Sequence, residues 1–258
     1  MKHLTKIRTL RLKADRRLVL RPRLVALKAF HKRCVKSLPV NAIHPTASEL
    51  FRVKSVWNII NDVPATTPFT QEHLTPIRKD FDNIISNWRE DIEMKLLELL
   101  SPGLSEIKGT SDARQILNRA TSVFSCSYPG CSRFLWYPEV MMHACATKPY
   151  HDDKAEIDIQ IMNDCLHQSF WNSNRCITVN PEHVALVHNL LTKVSWSPFS
   201  TSSHELNWPI YECTPCYQSA TGRAMMTGTQ AVRLAQPFFR FFFVFVLTNH
   251  PLIARPLF

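Results

Sequence analysis

The sequence predicts a mainly α protein, with an N-terminal helical region followed by a small α+β region organised around cysteines and histidine. Three observations carry this. Apolar residues recur at spacings of three and four over long windows, above all from Ile77 to Leu100. Strand signals are few, mainly Thr121–Ser125 and Trp208–Glu212, and each runs directly into a cysteine pair. Three cysteines and a histidine fall within Phe124–Cys145, FSCSYPGCSRFLWYPEVMMHAC.

At 258 residues the chain is long enough to bury a real core in one or two domains. With 45% hydrophobic and 20% charged residues it reads as globular rather than disordered. Only five glycines are present, which argues against Gly-rich phosphate loops and dinucleotide fingerprints, and neither motif occurs. The net charge of +10 is concentrated at one end. Residues 2–36 hold 13 Lys and Arg against one acid, Asp15, while the remaining 18 basic residues face 20 acids. The basic end suits an acidic protein, nucleic acid or an anionic surface as partner.

Residues 1–38 read as a basic helical arm in two pieces, because Arg21-Pro22 breaks or kinks a helix. After the proline, Leu24, Leu27, Cys34, Val35 and Leu38 form an apolar face, with Lys28, Lys32, Arg33 and Lys36 between them. Three readings stand side by side: a core-packed helix with a solvated basic face, a nucleic-acid or nuclear-import element, and a mitochondrial presequence. In the second, Arg16, Arg17, Arg21 and Arg23 are the candidate nucleic-acid contacts.

A helical region over 46–121 follows the linker Pro39–Pro45. Thr46-Ala-Ser-Glu49 is a capping-box pattern that opens a helix to about Asn61. Thr75-Pro76 starts the strongest helix, Thr at N-cap and Pro at N1, which Ser101-Pro102-Gly103 ends. Short helices are expected near Ser111–Thr121, over Ala155–Phe170, and from Asn180-Pro181 to about Lys193. Thr192–Asn207 is polar and reads as loop.

Residues 122–234 carry the chemistry. Cys126, Cys131, His143 and Cys145 make C-x4-C-x11-H-x-C, a spacing with which a loop and a short helix grip one tetrahedral Zn²⁺. Pro129-Gly130 turns the first two thiolates toward one point. Tyr137-Pro138 starts the helix that carries His143, and Phe124, Phe134, Leu135 and Trp136 supply a small core beneath. On a regular helix His143 and Cys145 would point about 200° apart, so both ligate only if the helix ends or loosens between them. His151 is the alternative fourth ligand. Cys213-Thr-Pro-Cys216 is a candidate second metal site, read equally well as structural cysteines. Cys165, His167, Cys176, His183, His188, His204 and His250 are its distant donors. No HExxH, GxSxG, Walker A or deaminase motif is present, so the site is read as structural and the protein as non-enzymatic.

The stretches LRLKADRRLVLRPRLVALKAF, RATSVFSCSYPGCSRFLWYPEVMMHAC and YECTPCYQSATGRAMMTGTQAV resemble a basidiomycete fungal protein family with Cys/His zinc-knuckle motifs. That family carries a basic leading helix, a first knuckle with a following YP-hydrophobic-x-x-H-x-C element, and a second Cys-x2-Cys. The resemblance covers the chain to about residue 234 and implies zinc ligation at the first knuckle, with no activity attached. In the family the second knuckle is followed by MTW-x-x-A/V and a histidine. Here Met226-Thr227-Gly228 departs from that pattern, and Leu234–Pro237 offers no histidine.

The tail, 235–258, contains FFRFFFVFVL at Phe238–Leu247. This run is too short for a bilayer span, which takes about 20 residues. It reads as a strand, or as translation past the true exon. With no apolar leader behind the charged N-terminus, the expected location is intracellular, nuclear or cytoplasmic. The expected role is protein or nucleic-acid binding, with an F-box-like adaptor (Leu38-Pro39 followed by Trp57) and a DNA-binding regulator as rivals.

Overall fold

The computed structural model describes residues 2–100, 110–152, 154–207, 210–218 and 222–235. In chain order the helices are α1 Lys2–Lys36, α2 Ala47–Arg52, α3 Lys54–Asp62, α4 Thr75–Lys79, α5 Phe81–Leu100, α6 Thr110–Leu117, α7 Ile157–Leu166, α8 Pro181–Lys193 and α9 Gly228–Ala235. The strands are β1 Phe124–Cys126, β2 Phe134–Leu135, β3 Ile177–Thr178, β4 Ile210–Gln218 and β5 Gly222–Thr227. They form a three-stranded sheet in the order β2-β1-β3 and a β4-β5 hairpin. Helices dominate, and the fold is mainly α with a small α+β region. The expectations for the tail, and for the helix stop at Ser101-Pro102-Gly103, lie outside the described residues.

The chain divides into two compact units, Met1–Glu98 with Pro138–Ile177, and Leu99–Tyr137 with Thr178–Phe258. The first is built on α1. This helix runs unbroken through Pro22, contrary to the two pieces expected. Apolar residues on both sides of the proline enter one core, which outweighs the local cost of losing a backbone hydrogen bond. Leu20, Leu24, Leu27, Phe30 and Cys34 pack there with Leu50, Phe51, Val56 and Ile60, with Ile77, Phe81 and Ile84, and with Ile161, Met162 and Leu166 of α7. Lys28, Lys32, Arg33 and Lys36 are exposed, so the apolar and basic faces separate as the periodicity predicts.

The Thr46–Asn61 segment is two helices rather than one, broken at Val53, whose backbone is extended (φ −66°, ψ 123°). The expected capping box does not form. Thr46 Oγ1 bonds Ser48 Oγ (2.8 Å), and Glu49 turns inward to accept from the Trp171 backbone N–H. Thr75 is the first residue of α4 rather than its N-cap, which is Leu74. A Thr70–His73 capping box caps the preceding 3-10 turn, Gln71–Leu74.

The second unit centres on Val123, Phe134, Trp136, Val187, Leu190, Leu191, Leu206, Tyr211, Met226 and Val232. Asn180 caps α8 as expected, its side chain accepting from Glu182 N–H at 2.9 Å, with Pro181 following. The Ser-rich loop is pinned by backbone bonds Ala120 N–H to Thr201 O and Ser203 N–H to Asn118 O, both 2.8 Å. Trp136 Nε1 donates to Ala120 O at 2.8 Å. Burial pushes the Tyr211 phenol up to about 12. The β5 strand and α9 lack a sequence expectation. Gly228, which opens α9, tolerates no side chain, since a Cβ there would sit 2.2 Å from Leu206 O.

Candidate metal centre

The centre grows from a tight hairpin. β1 and β2 pair antiparallel, Phe124 opposite Leu135 and Ser125 opposite Phe134, and Cys126 N–H donates to Arg133 O at 3.0 Å. Cys131 N–H closes the turn onto Tyr128 O at 2.9 Å. Pro129 and Gly130 are the central residues. Gly130 has φ +78°, the left-handed value that the third residue of such a turn requires. The two cysteines thus leave the hairpin on either side of one turn, as the Pro-Gly pair predicts. Phe124, Phe134, Leu135 and Trp136 are all buried beneath them.

The second pair of residues lies on two consecutive 3-10 turns, Glu139–Met142 and Ala144–Thr147, instead of a regular helix. Between them His143 is extended, with φ −66° and ψ 118°. The loosening that ligation by both His143 and Cys145 demands is therefore present, and it falls on the histidine itself. Met141 N–H to Pro138 O (3.1 Å) holds the first turn and Ala146 N–H to His143 O (2.9 Å) the second.

The result is a single cluster. One ligand atom from each of Cys126, Cys131, His143 and Cys145 lies within 4.8 Å of the other three, and the group can hold a metal ion. Cys126 and Cys145 are buried, and Cys131 and His143 are half-buried. None of the six described cysteines forms a disulfide. His151 stands apart: its side chain is 80% exposed and lies 4.0 Å from Asp164. Cys145, not His151, completes the four.

Supporting residues outside the motif fix the turn that carries Cys145. Asn174 Nδ2 donates to Cys145 O (2.9 Å), Asn172 N–H to Ala146 O (2.7 Å) and Ser169 N–H to Thr147 O (2.8 Å). On the hairpin side Ser125 Oγ bonds His183 Nδ1 at 2.6 Å, and the His183 ring meets Phe134 edge-on at 4.4 Å. Sequence reading gave Ser125, Ser169, Asn172 and Asn174 no role, and gave His183 only that of a distant donor to Cys213 and Cys216. The turn-forming run Asn172-Ser-Asn174 was the available signal, and Asn172 and Arg175 do adopt positive φ.

The other predicted residues are placed differently. Cys213 and Cys216 lie on β4, whose backbone pairs Cys213 with Ala224 and shifts register before Gln218. Pro215 falls in that irregular stretch, where a strand tolerates a missing N–H. The side chains of both cysteines lie outside the described residues. Cys165 packs against the core of the first unit, Cys176 is buried, and His167, His188 and His204 are exposed. Among the described residues no second cluster of this kind forms. Arg16 grips Asp158 with two bonds (2.7 and 2.6 Å) and reaches Asn61. Arg17 bonds Asp164 at 3.1 Å. Arg23 is buried, donating to the carbonyls of Ile60, Val63 (2.7 Å) and Pro64 (3.2 Å). Arg21 is exposed. No described helix is long and apolar enough to cross a membrane. No protein-family model, curated protein or solved structure matches the chain.

Proposed function

We propose that this is a non-enzymatic zinc protein, in which Zn²⁺ on Cys126, Cys131, His143 and Cys145 is a structural ion and the fold it holds binds a protein partner. The observation that carries the reading is the donor set: three thiols and one imidazole whose ligand atoms lie within 4.8 Å of one another. Tetrahedral Zn²⁺ with bonds of about 2.0–2.3 Å spaces its ligands roughly 3.5–3.8 Å apart, so about 1 Å of closure suffices. Soft thiolates favour zinc over magnesium or calcium. Four protein ligands leave no position for a water or substrate, which is the mark of a structural rather than a catalytic site.

The test is metal content with X-ray absorption on the purified protein. One zinc per chain with three sulfur neighbours and one nitrogen neighbour is expected, and Cys126→Ser is expected to lose it. A bound water in the zinc shell would overturn the structural role.

A protein partner is favoured over nucleic acid because Arg16 and Arg17 are engaged by Asp158 and Asp164, and Arg23 is buried against backbone carbonyls. A second reading rests on Arg8, Arg11 and Arg21, which are exposed on α1. Titration with duplex and single-stranded oligonucleotides between 50 and 200 mM salt separates the two. Binding that falls steeply with salt, and less steeply once Arg8, Arg11 and Arg21 are neutralised, would favour nucleic acid.

A further inference from the structure

Glu49 is the anomaly in the first unit. It sits on α2 with 4% of its surface exposed. Its side chain has one hydrogen bond among the described residues, accepted from Trp171 N–H at 2.5 Å, and it takes part in no ion pair there. Burial pushes its carboxyl up, while the Trp171 N–H and the charges of Arg52 and Lys95 pull it down and Asp91 pushes it up. The Trp171 N–H meets one oxygen of a carboxylate largely withdrawn from water, and a cationic partner at the other oxygen would offset part of that burial.

That partner has a place to enter. Glu49 lines a surface groove of about 230 Å³ with Val53, Ile84, Trp88, Arg52 and Asp91. This is smaller than the roughly 300–1,000 Å³ that takes drug-sized ligands, and it suits one extended side chain. Val53 and Ile84 offer apolar wall to a methylene stem, and Trp88 offers an aromatic ring to a cation. The competing cations are tied elsewhere: Lys95 bonds Asp91 at 2.7 Å, and Arg52 lies 3.9 Å from Asp91 and over the Phe170 ring at 5.8 Å.

We infer that this groove binds an alkylammonium group, its charge meeting Glu49 and its stem lying along Val53 and Ile84. An anion would be repelled by Glu49, and an apolar ligand would leave the buried acid uncompensated. The chemistry is that of a lysine side chain of a partner polypeptide and of a free aliphatic amine. The inference goes beyond the zinc reading and does not depend on it.

The test titrates the full chain with n-butylammonium and with n-butanol of the same shape, following the Trp88 indole N–H by NMR. Butylammonium is expected to shift this resonance with at least tenfold higher affinity than butanol. Glu49→Gln is expected to weaken it at least tenfold. This variant keeps a carbonyl for the Trp171 N–H, so the fold is retained, and its zinc content is expected to be unchanged. Equal binding of butanol, or unchanged affinity in Glu49→Gln, would overturn the inference. A capped Ala-Lys-Ala peptide then separates the sources. Binding at least as tight as the free amine identifies a polypeptide lysine, and tighter binding of the amine alone identifies a small-molecule ligand.

Discussion

The buried carboxyl of Glu49 sets a pH dependence whose sign follows from its environment. Burial raises its pKa above the ordinary 4.5, so the native state holds the proton more tightly than the unfolded chain does. Its contribution is complete below the unfolded pKa and is lost as pH rises through the folded one. Glu49→Gln removes that loss. Urea unfolding from pH 4 to pH 8 is therefore expected to show the variant gaining on wild type as pH rises, and equalling or exceeding it at pH 7. A variant less stable by the same amount at every pH would show that Glu49 acts through packing alone. Two glycines make sharper local tests. Gly130→Ala forces a side chain into the left-handed region at the metal turn and is expected to cost about 1–2 kcal/mol. Gly228→Ala drives a methyl against the backbone of Leu206 and is expected to cost about 1–3 kcal/mol or more, read as a lower midpoint in urea.

Among the elements, α1 shows most directly how tertiary contacts override a local rule. Proline inside a helix lacks the N–H and crowds the carbonyl four residues back, a penalty of about 3 kcal/mol. The helix persists because Leu20 and Leu24, on either side of Pro22, are fully buried in the same core and Arg23 anchors to three carbonyls. Pro22 itself is exposed, so replacing it loses no packing. Pro22→Ala is expected to raise stability by about 1–3 kcal/mol, the lower figure allowing for the extra freedom of the unfolded chain. Leu24→Ala, in contrast, is expected to cost about 2–5 kcal/mol. If Pro22→Ala proved neutral, the helix would already accommodate the ring. At the metal centre the element-level lesson is the opposite. A single extended residue, His143, turns what would be one helix into two 3-10 turns, and this brings a histidine and a cysteine two positions apart into one cluster.

For the molecule as a whole, the four-ligand cluster predicts that folding and metal binding are linked. Ligands gathered from two turns have no preformed arrangement in the unfolded chain, so binding free energy becomes folding free energy. Loss of a structural metal is among the few single changes expected to exceed about 4 kcal/mol. At about 2–4 °C per kcal/mol for a chain this size, chelation or Cys145→Ser is expected to lower Tm by roughly 8 °C or more. Calorimetry before and after chelation checks it, and an unchanged Tm would reduce the cluster to buried thiols beside a histidine.

How much of this was legible in the sequence depended on the range of the interaction. The ligand set, the Pro-Gly turn, the Asn180-Pro181 cap and the α5 stripe are written within about twenty residues, where backbone geometry and side-chain chemistry act directly. The sequence by itself therefore determined the helical class, the stretch that carries the candidate ligands and the conflict at His143. Only the tertiary structure decided that Cys145 rather than His151 completes the cluster, that α1 passes through Pro22, and that Cys213 pairs in a strand. It alone paired Arg16 with Asp158, set Glu49 against the Trp171 backbone, and brought Glu49 into one groove with Ile84, Trp88 and Asp91 of α5. Each of these joins residues distant in the chain or weighs a local penalty against a distant core. Their free energies arise only when folding brings the partners together.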